Sequence, residues 1–170
     1  MQNLPYPDRR TFLKAGAAAA AGALANIRPA LAAPGDAPRL RLGIDNFAVR
    51  AMGWKAKALI DYAAELECDT LFITDLDAFE SLEDAALKEI KAHADDKGIG
   101  LLLGTWSICP SSPSFRDNRG TADEHLALGV RAAKALGSPA LRVILGSRKD
   151  RTTEGGIEAR IGDTVAVLKR

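Results

Sequence analysis

The chain reads as an α/β domain built on parallel strands, and three observations predict this. Short apolar runs alternate with segments of helical period, strand then helix, along residues 40–169. The run at 99–103 is nearly all apolar, as a strand covered on both faces would be. Cap chemistry punctuates the segments: Lys97-Gly98 and Gly137 stand where helices end, and Thr121-Ala122-Asp123-Glu124 where one begins. Two architectures fit, a doubly wound sheet and part of a (β/α)8 barrel. Both place function at the C-terminal ends of the strands. No Gly-x-Gly-x-x-Gly follows any strand, so a dinucleotide-binding unit is unsupported.

The first strand is expected within residues 40–44, Leu-Arg-Leu-Gly-Ile. Its helix covers residues 55–67, with Leu59, Tyr62, Ala63 and Leu66 on one face. The second strand is Thr70-Leu71-Phe72-Ile73. Ser81, with Asp84 three residues on, is expected to cap the next helix, whose buried stripe is Leu82, Ala86, Ile90 and Ala94. The third strand, 99–103, leads through Gly104, Thr105 and Trp106 into a long polar loop, 107–120. The helix opened by the Thr121/Glu124 box carries Leu126, Val130 and Ala133 inward. The fourth strand lies in 140–145. The last helix, 157–169, shows Ile157, Ile161, Val165 and Leu168 on one stripe.

The first 38 residues are of another kind. Arg9-Arg10, followed by Thr11, Phe12, Leu13 and Lys14, precedes a modestly apolar run of Ala, Gly and Leu. That run ends in Arg28-Pro29-Ala30-Leu31-Ala32, a small-x-small cleavage site formed by Ala30 and Ala32. Residues 1–32 look like a twin-arginine export signal, and 33–38 are a proline-bearing leader. Asp8 stands where Ser or Thr is commoner. This route carries folded proteins, so the domain is expected to fold before crossing. The twin-arginine machinery is then a partner, and the destination is the periplasm or another exported location.

Cleavage after Ala32 leaves 138 of the 170 residues, enough for one core. It removes four basic residues and one acidic residue, leaving a net charge near −2. No basic run remains, so nucleic-acid binding has no electrostatic footprint. The signal's apolar run, broken by Gly and followed by Arg28, is too short for a stable membrane anchor. Cys68 precedes one strand and Cys109 follows the next, so they are expected at opposite edges of the sheet and as free thiols. A strand spans roughly 17–20 Å, against the roughly 7 Å between Cα atoms that a disulfide tolerates.

Leu42-Gly43-Ile44, Ala63-Ala64-Glu65-Leu66, Lys97-Gly98-Ile99 and Ala135-Leu136-Gly137 with Leu141-Arg142-Val143 carry a resemblance. They resemble the xylose-isomerase-like barrel family, which includes sugar-phosphate isomerases and epimerases and the endonuclease IV fold. The resemblance covers residues 39–170. It implies a (β/α)8 barrel of the TIM type with only the first four βα units present, an N-terminal half barrel. It also implies a divalent metal, Mn, Mg or Zn, in the complete protein. Its carboxylate and histidine ligands would sit on the fifth to eighth strands, beyond Arg170. No metal ligand or cofactor is then expected in this chain itself, and its catalytic residues remain unknown.

On that reading the candidate substrate-binding residues stand at strand ends. Asp45 and Asn46 either hydrogen-bond a sugar hydroxyl or make the turn in which Asp and Asn are favoured. Asp75 and Asp77 either line a polar pocket or cap the next turn. Trp106 either stacks on a sugar or fills the gap under the 107–120 loop. Arg148 and Lys149 either meet a phosphate or carboxylate or form a solvated turn. Arg142 points either to the barrel interior or toward a helix. His93 and His125 lie within helices, remote from strand ends, and are expected to pack rather than bind metal. The leading function is an exported sugar or sugar-phosphate isomerase or epimerase-like protein lacking its metal half. The alternative is a non-catalytic exported α/β domain that binds a carbohydrate or a partner protein. Open strand edges in a half barrel lead to an expectation of self-association.

Overall fold

The computed structural model describes residues 40–170. The signal residues Arg9, Arg10, Phe12, Leu13 and Lys14, the cleavage residues Ala30 and Ala32, and the 33–38 leader lie outside the described residues. Four strands, β1 (Gly43–Asp45), β2 (Thr70–Ile73), β3 (Gly100–Ser107) and β4 (Leu141–Ile144), form one sheet in the order β1-β2-β3-β4. Every pairing is parallel. Helices α1 (Ala56–Glu65), α2 (Asp84–Asp96), α3 (Ala122–Ala135) and α4 (Gly156–Leu168) follow the strands in turn. A 3-10 segment lies between each strand and its helix: Asn46–Met52, Leu76–Ala78, Asp117–Arg119 and Arg148–Thr152.

Register gives the sheet two faces. Gly43, Thr70 and Gly100 are aligned, as are Asp45, Phe72 and Leu102. Alternation along each strand then puts Leu71, Ile73, Leu101 and Leu103 on the opposite side. Those four side chains are buried in one cluster with Leu59 and Ile60 of α1, Leu87 and Ala94 of α2, and Ala132 of α3. A second cluster joins Ile108, Ala122 and Val167 of α4, with Val143 packed against it. Phe72 and Leu102, on the other face, are only half-buried and belong to neither cluster. Strands in sequential order, with their helices packed on one face, make a singly wound sheet. The doubly wound alternative requires a strand order that reverses.

Local chemistry explains the helix ends. Gly98 (φ 71°) and Gly137 (φ 67°) take the left-handed conformation after α2 and α3. The N–H groups of Ile99 and Ser138 then bond back to the Ala94 and Ala133 carbonyls at 2.8 and 2.9 Å. Thr121 and Glu124 form the expected reciprocal capping box. Holding the Thr121 N–H and hydroxyl keeps the Glu124 carboxyl below its ordinary range.

Several expectations are corrected. The cap of α2 is Glu83, whose side chain makes no capping bond; the Ser81 hydroxyl instead accepts from the Glu83 N–H at 3.1 Å. The stripe of α2 is centred on fully buried Leu87 and, as expected, Ala94, with Ala86 and Ile90 at its margins. Helix α3 turns Ala122, His125, Gly129, Ala132 and, as expected, Ala133 inward, while Val130 is exposed and Leu126 half-buried. In α4 the inward residues are Arg160, Thr164 and Val167. Its apolar stripe, Ile157, Ile161, Val165 and Leu168, is exposed. The first run also pairs later than expected: Leu40 and Leu42 are exposed, and the strand runs from Gly43. The third strand continues through Ser107, so Trp106 lies inside it.

Candidate functional site

At the C-terminal end of the sheet the first two strands are tied together. The Asn46 carboxamide oxygen accepts from the Thr74 N–H and from the Thr74 hydroxyl, both at 2.9 Å. Asp45 turns its carboxylate to the Phe47 N–H at 2.7 Å and caps the 3-10 segment behind β1. Asp75 does the same after β2, accepting from the Asp77 N–H at 3.0 Å. Both aspartates therefore perform turn chemistry.

An open cleft of about 290 Å³ lies at these strand ends, lined by Asn46, Phe47, Trp54, Thr74, Asp75, Asp77 and Trp106 among others. Three of the expected residues, Asn46, Asp75 and Trp106, thus share one surface. Asp45 stands beside it in the chain without lining it. Arg148 does not join them. It lines a separate cleft with Gly146, Ser147, Arg151 and Ile157.

The long loop after β3 is fastened over this end of the sheet. The Arg116 guanidinium stacks on the Trp106 ring, 4.4 Å from its centroid. Arg116 also reaches the Asp77 carboxylate at 3.7 Å, and Arg119 pairs with the same carboxylate. Lys55 donates to the Asp77 carbonyl at 2.7 Å. Asp77 therefore holds the 116–119 end of the loop, Arg160 donates to the Ser111 carbonyl nearer its start, and one face of Trp106 is covered by Arg116.

Behind the cleft, on the helix side, His125 is 1% exposed and its Nε2 lies 2.6 Å from the Thr105 hydroxyl. This overturns the expectation that His125 is remote from the strands: β3 extends far enough to bring Thr105 to it. Burial lowers the His125 pKa; Arg119 adds to the lowering, and Asp75 and Asp77 oppose it. His93 bonds to Asp61 at 2.9 Å between α2 and α1.

Sequence reasoning missed Thr74, Phe47 and Trp54 as cleft residues. It also missed a second capping box, in which Ser147 and Asp150 hold the turn after β4. The spacing Ser-x-x-Asp was its available signal. Asp150 is wholly buried, and the Ser147 N–H, with the Ser112 hydroxyl, keeps its carboxyl below the ordinary range. Cys68 and Cys109 are free thiols, the latter fully buried. Among the described residues no helix is long and apolar enough to cross a membrane.

Residues 7–25 match the TAT (twin-arginine translocation) pathway signal sequence family. The protein is exported by the twin-arginine pathway, and the translocation machinery is its partner in that step. No curated protein and no solved structure matches the chain.

Proposed function

We propose that the exported domain is the first half of a (β/α)8 barrel of the xylose-isomerase-like kind, and that it binds a small carbohydrate at the C-terminal ends of its strands. The observation that carries this reading is the gathering of Asn46, Asp75 and Trp106 on one cleft of a singly wound parallel sheet. Each has a plain role. Thr74 occupies the Asn46 carboxamide oxygen, so the amide NH₂ is left to donate to a sugar oxygen. Asp75 uses Oδ1 in its turn and offers Oδ2 to a sugar hydroxyl. Trp106 presents an aromatic face on which the apolar side of a sugar ring stacks.

The divalent metal that the resemblance implies does not fit the described residues. Among them no group of three or more His, Cys, Asp and Glu side chains converges. No isomerase or epimerase step is therefore derived from these residues, and binding is the activity assigned to them. The exposed stripe of α4 and the half-buried inner face of the sheet are apolar surfaces of the kind that pack against further chain or another copy.

Titration of the exported protein with a panel of neutral monosaccharides, followed by the Trp106 indole N–H signal in NMR, tests the reading. A saturable shift that Asn46→Ala weakens several-fold is expected. If no monosaccharide moves the Trp106 signal, the carbohydrate reading falls.

A further inference from the structure

Arg142 resolves toward the inner face of the sheet, and its surroundings are specific. It pairs in register with Gly104 of β3, and its side chain crosses that glycine. A Cβ at Gly104 would stand 3.1 Å from Arg142 Nε, 3.2 Å from the Phe72 ring and 3.0 Å from the Thr74 carbonyl. The absent side chain is thus what lets the guanidinium lie across β3 and reach β2. There Nη2 donates to the Thr74 carbonyl at 3.2 Å, and the group sits 5.1 Å from the Phe72 ring centroid. Thr74 itself lines the cleft with Asn46 and Asp75; Arg142 does not line it and borders it through the Thr74 carbonyl.

Among the described residues the charge of Arg142 meets no counter-charge. Arg116, Arg119, Arg131 and Arg170 each pair with an aspartate. Among the described residues no carboxylate lies within ion-pair distance of Arg142. One carbonyl occupies one of its five N–H donors, although the residue is half-buried. A partly desolvated cation without a counter-charge is costly to hold. A planar guanidinium with donors to spare is suited to two-pronged contact with an oxyanion.

We propose that Arg142 is an oxyanion-binding residue, and that the ligand of the rim cleft is acidic, bearing a carboxylate or a phosphate that Arg142 holds across Gly104. This rests on the carbohydrate reading for the rest of the ligand, but not for the anion. The test uses the full exported chain and follows the Arg142 Nε–H and Gly104 amide signals in NMR. Acetate and inorganic phosphate are added separately, with chloride at matched ionic strength as the reference. A saturable shift with either anion supports the proposal: acetate alone points to a carboxylate source, phosphate alone to a phosphoryl source. Arg142→Gln should weaken that binding at least about tenfold, the scale of a lost charge-assisted contact, while Arg148→Gln leaves it unchanged. Shifts no larger than those of chloride overturn the proposal, and the wild-type titration decides this even if the Arg142 variants fold poorly. A neutral monosaccharide that moves Trp106, with no anion response at Arg142, keeps the rim reading and removes this one. The reverse pattern removes the rim reading alone.

Discussion

Asn46 and Thr74, 28 residues apart, are joined by two hydrogen bonds to a single carboxamide oxygen, both 2.9 Å long. The pair closes the gap between the C-terminal ends of β1 and β2, and both residues line the candidate cleft. Since only the oxygen is used, an acid retains both bonds and an alanine retains neither. Asn46→Ala should cost about 1–2 kcal/mol, two neutral hydrogen bonds at their usual net worth. Asn46→Asp should cost less. Equilibrium urea unfolding of both variants checks the order; equal losses would mean that the oxygen is not what holds the strands.

Burial of His125 sets a pH dependence. Its folded pKa lies below the ordinary value of 6.5, first because burial disfavours the charged ring and then because Arg119 is near. Below about pH 6.5 the unfolded chain takes up a proton that the folded one resists. Stability conferred by the neutral ring is therefore complete above that pH and declines as pH falls toward the lowered folded value. Glu124 and Asp150, also lowered, give stability that is present at both pH values and is lost only as pH falls below their own ordinary values of 4.5 and 3.8. Melting temperatures at pH 7.5 and 5.5 should differ in the wild type and converge in His125→Gln. A wild-type melting temperature unchanged between the two would contradict the buried neutral histidine.

The loop after β3 should be released through Asp77. Its carboxylate holds Arg116 and Arg119, but it is half-exposed, and exposed pairs contribute only about 0.2–1 kcal/mol each. Asp77→Asn should therefore leave global stability nearly intact. Hydrogen exchange across 115–120 should accelerate, and Trp106 should become more accessible to a fluorescence quencher. Unaltered exchange in that segment would show that the loop is held by other contacts.

Glu67 adopts φ 55° immediately after α1, a position where α2 and α3 use glycine. A side chain in that conformation costs about 1 kcal/mol. Glu67→Gly should raise the denaturant midpoint by a corresponding amount with no change in slope. A lower midpoint would mean that the glutamate makes compensating contacts.

The exposed stripe of α4 should drive self-association. Ile161 and Val165 are 40% and 39% exposed on a helix whose inward face is already filled by Thr164 and Val167. Sedimentation of the exported protein at tens of micromolar should show a dimer or larger species. Ile161→Glu with Val165→Glu should shift it to monomer without loss of helix content. A monomeric wild type would remove this face as an interface.

The sequence alone determined the export route, the parallel α/β class, the four strands and the helix ends at Gly98 and Gly137. These depend on local properties: a charged and apolar order of residues, a period of two or 3.6, a reciprocal cap, a backbone sign that glycine permits. Tertiary structure decided what periodicity does not encode. The apolar stripe of α4 was plain in the sequence, but a stripe records only that one face is apolar, and this one lies away from the core. Arg142 alternated correctly within its strand, yet its side was fixed by the space that Gly104 leaves on the neighbouring strand. Trp106 gained its stacking partner from a loop whose course depends on Asp77, 39 residues before Arg116 in the chain. His125 met Thr105 because β3 runs further than its apolar stretch indicates, its last turns inward being polar groups that only a folded neighbour can satisfy.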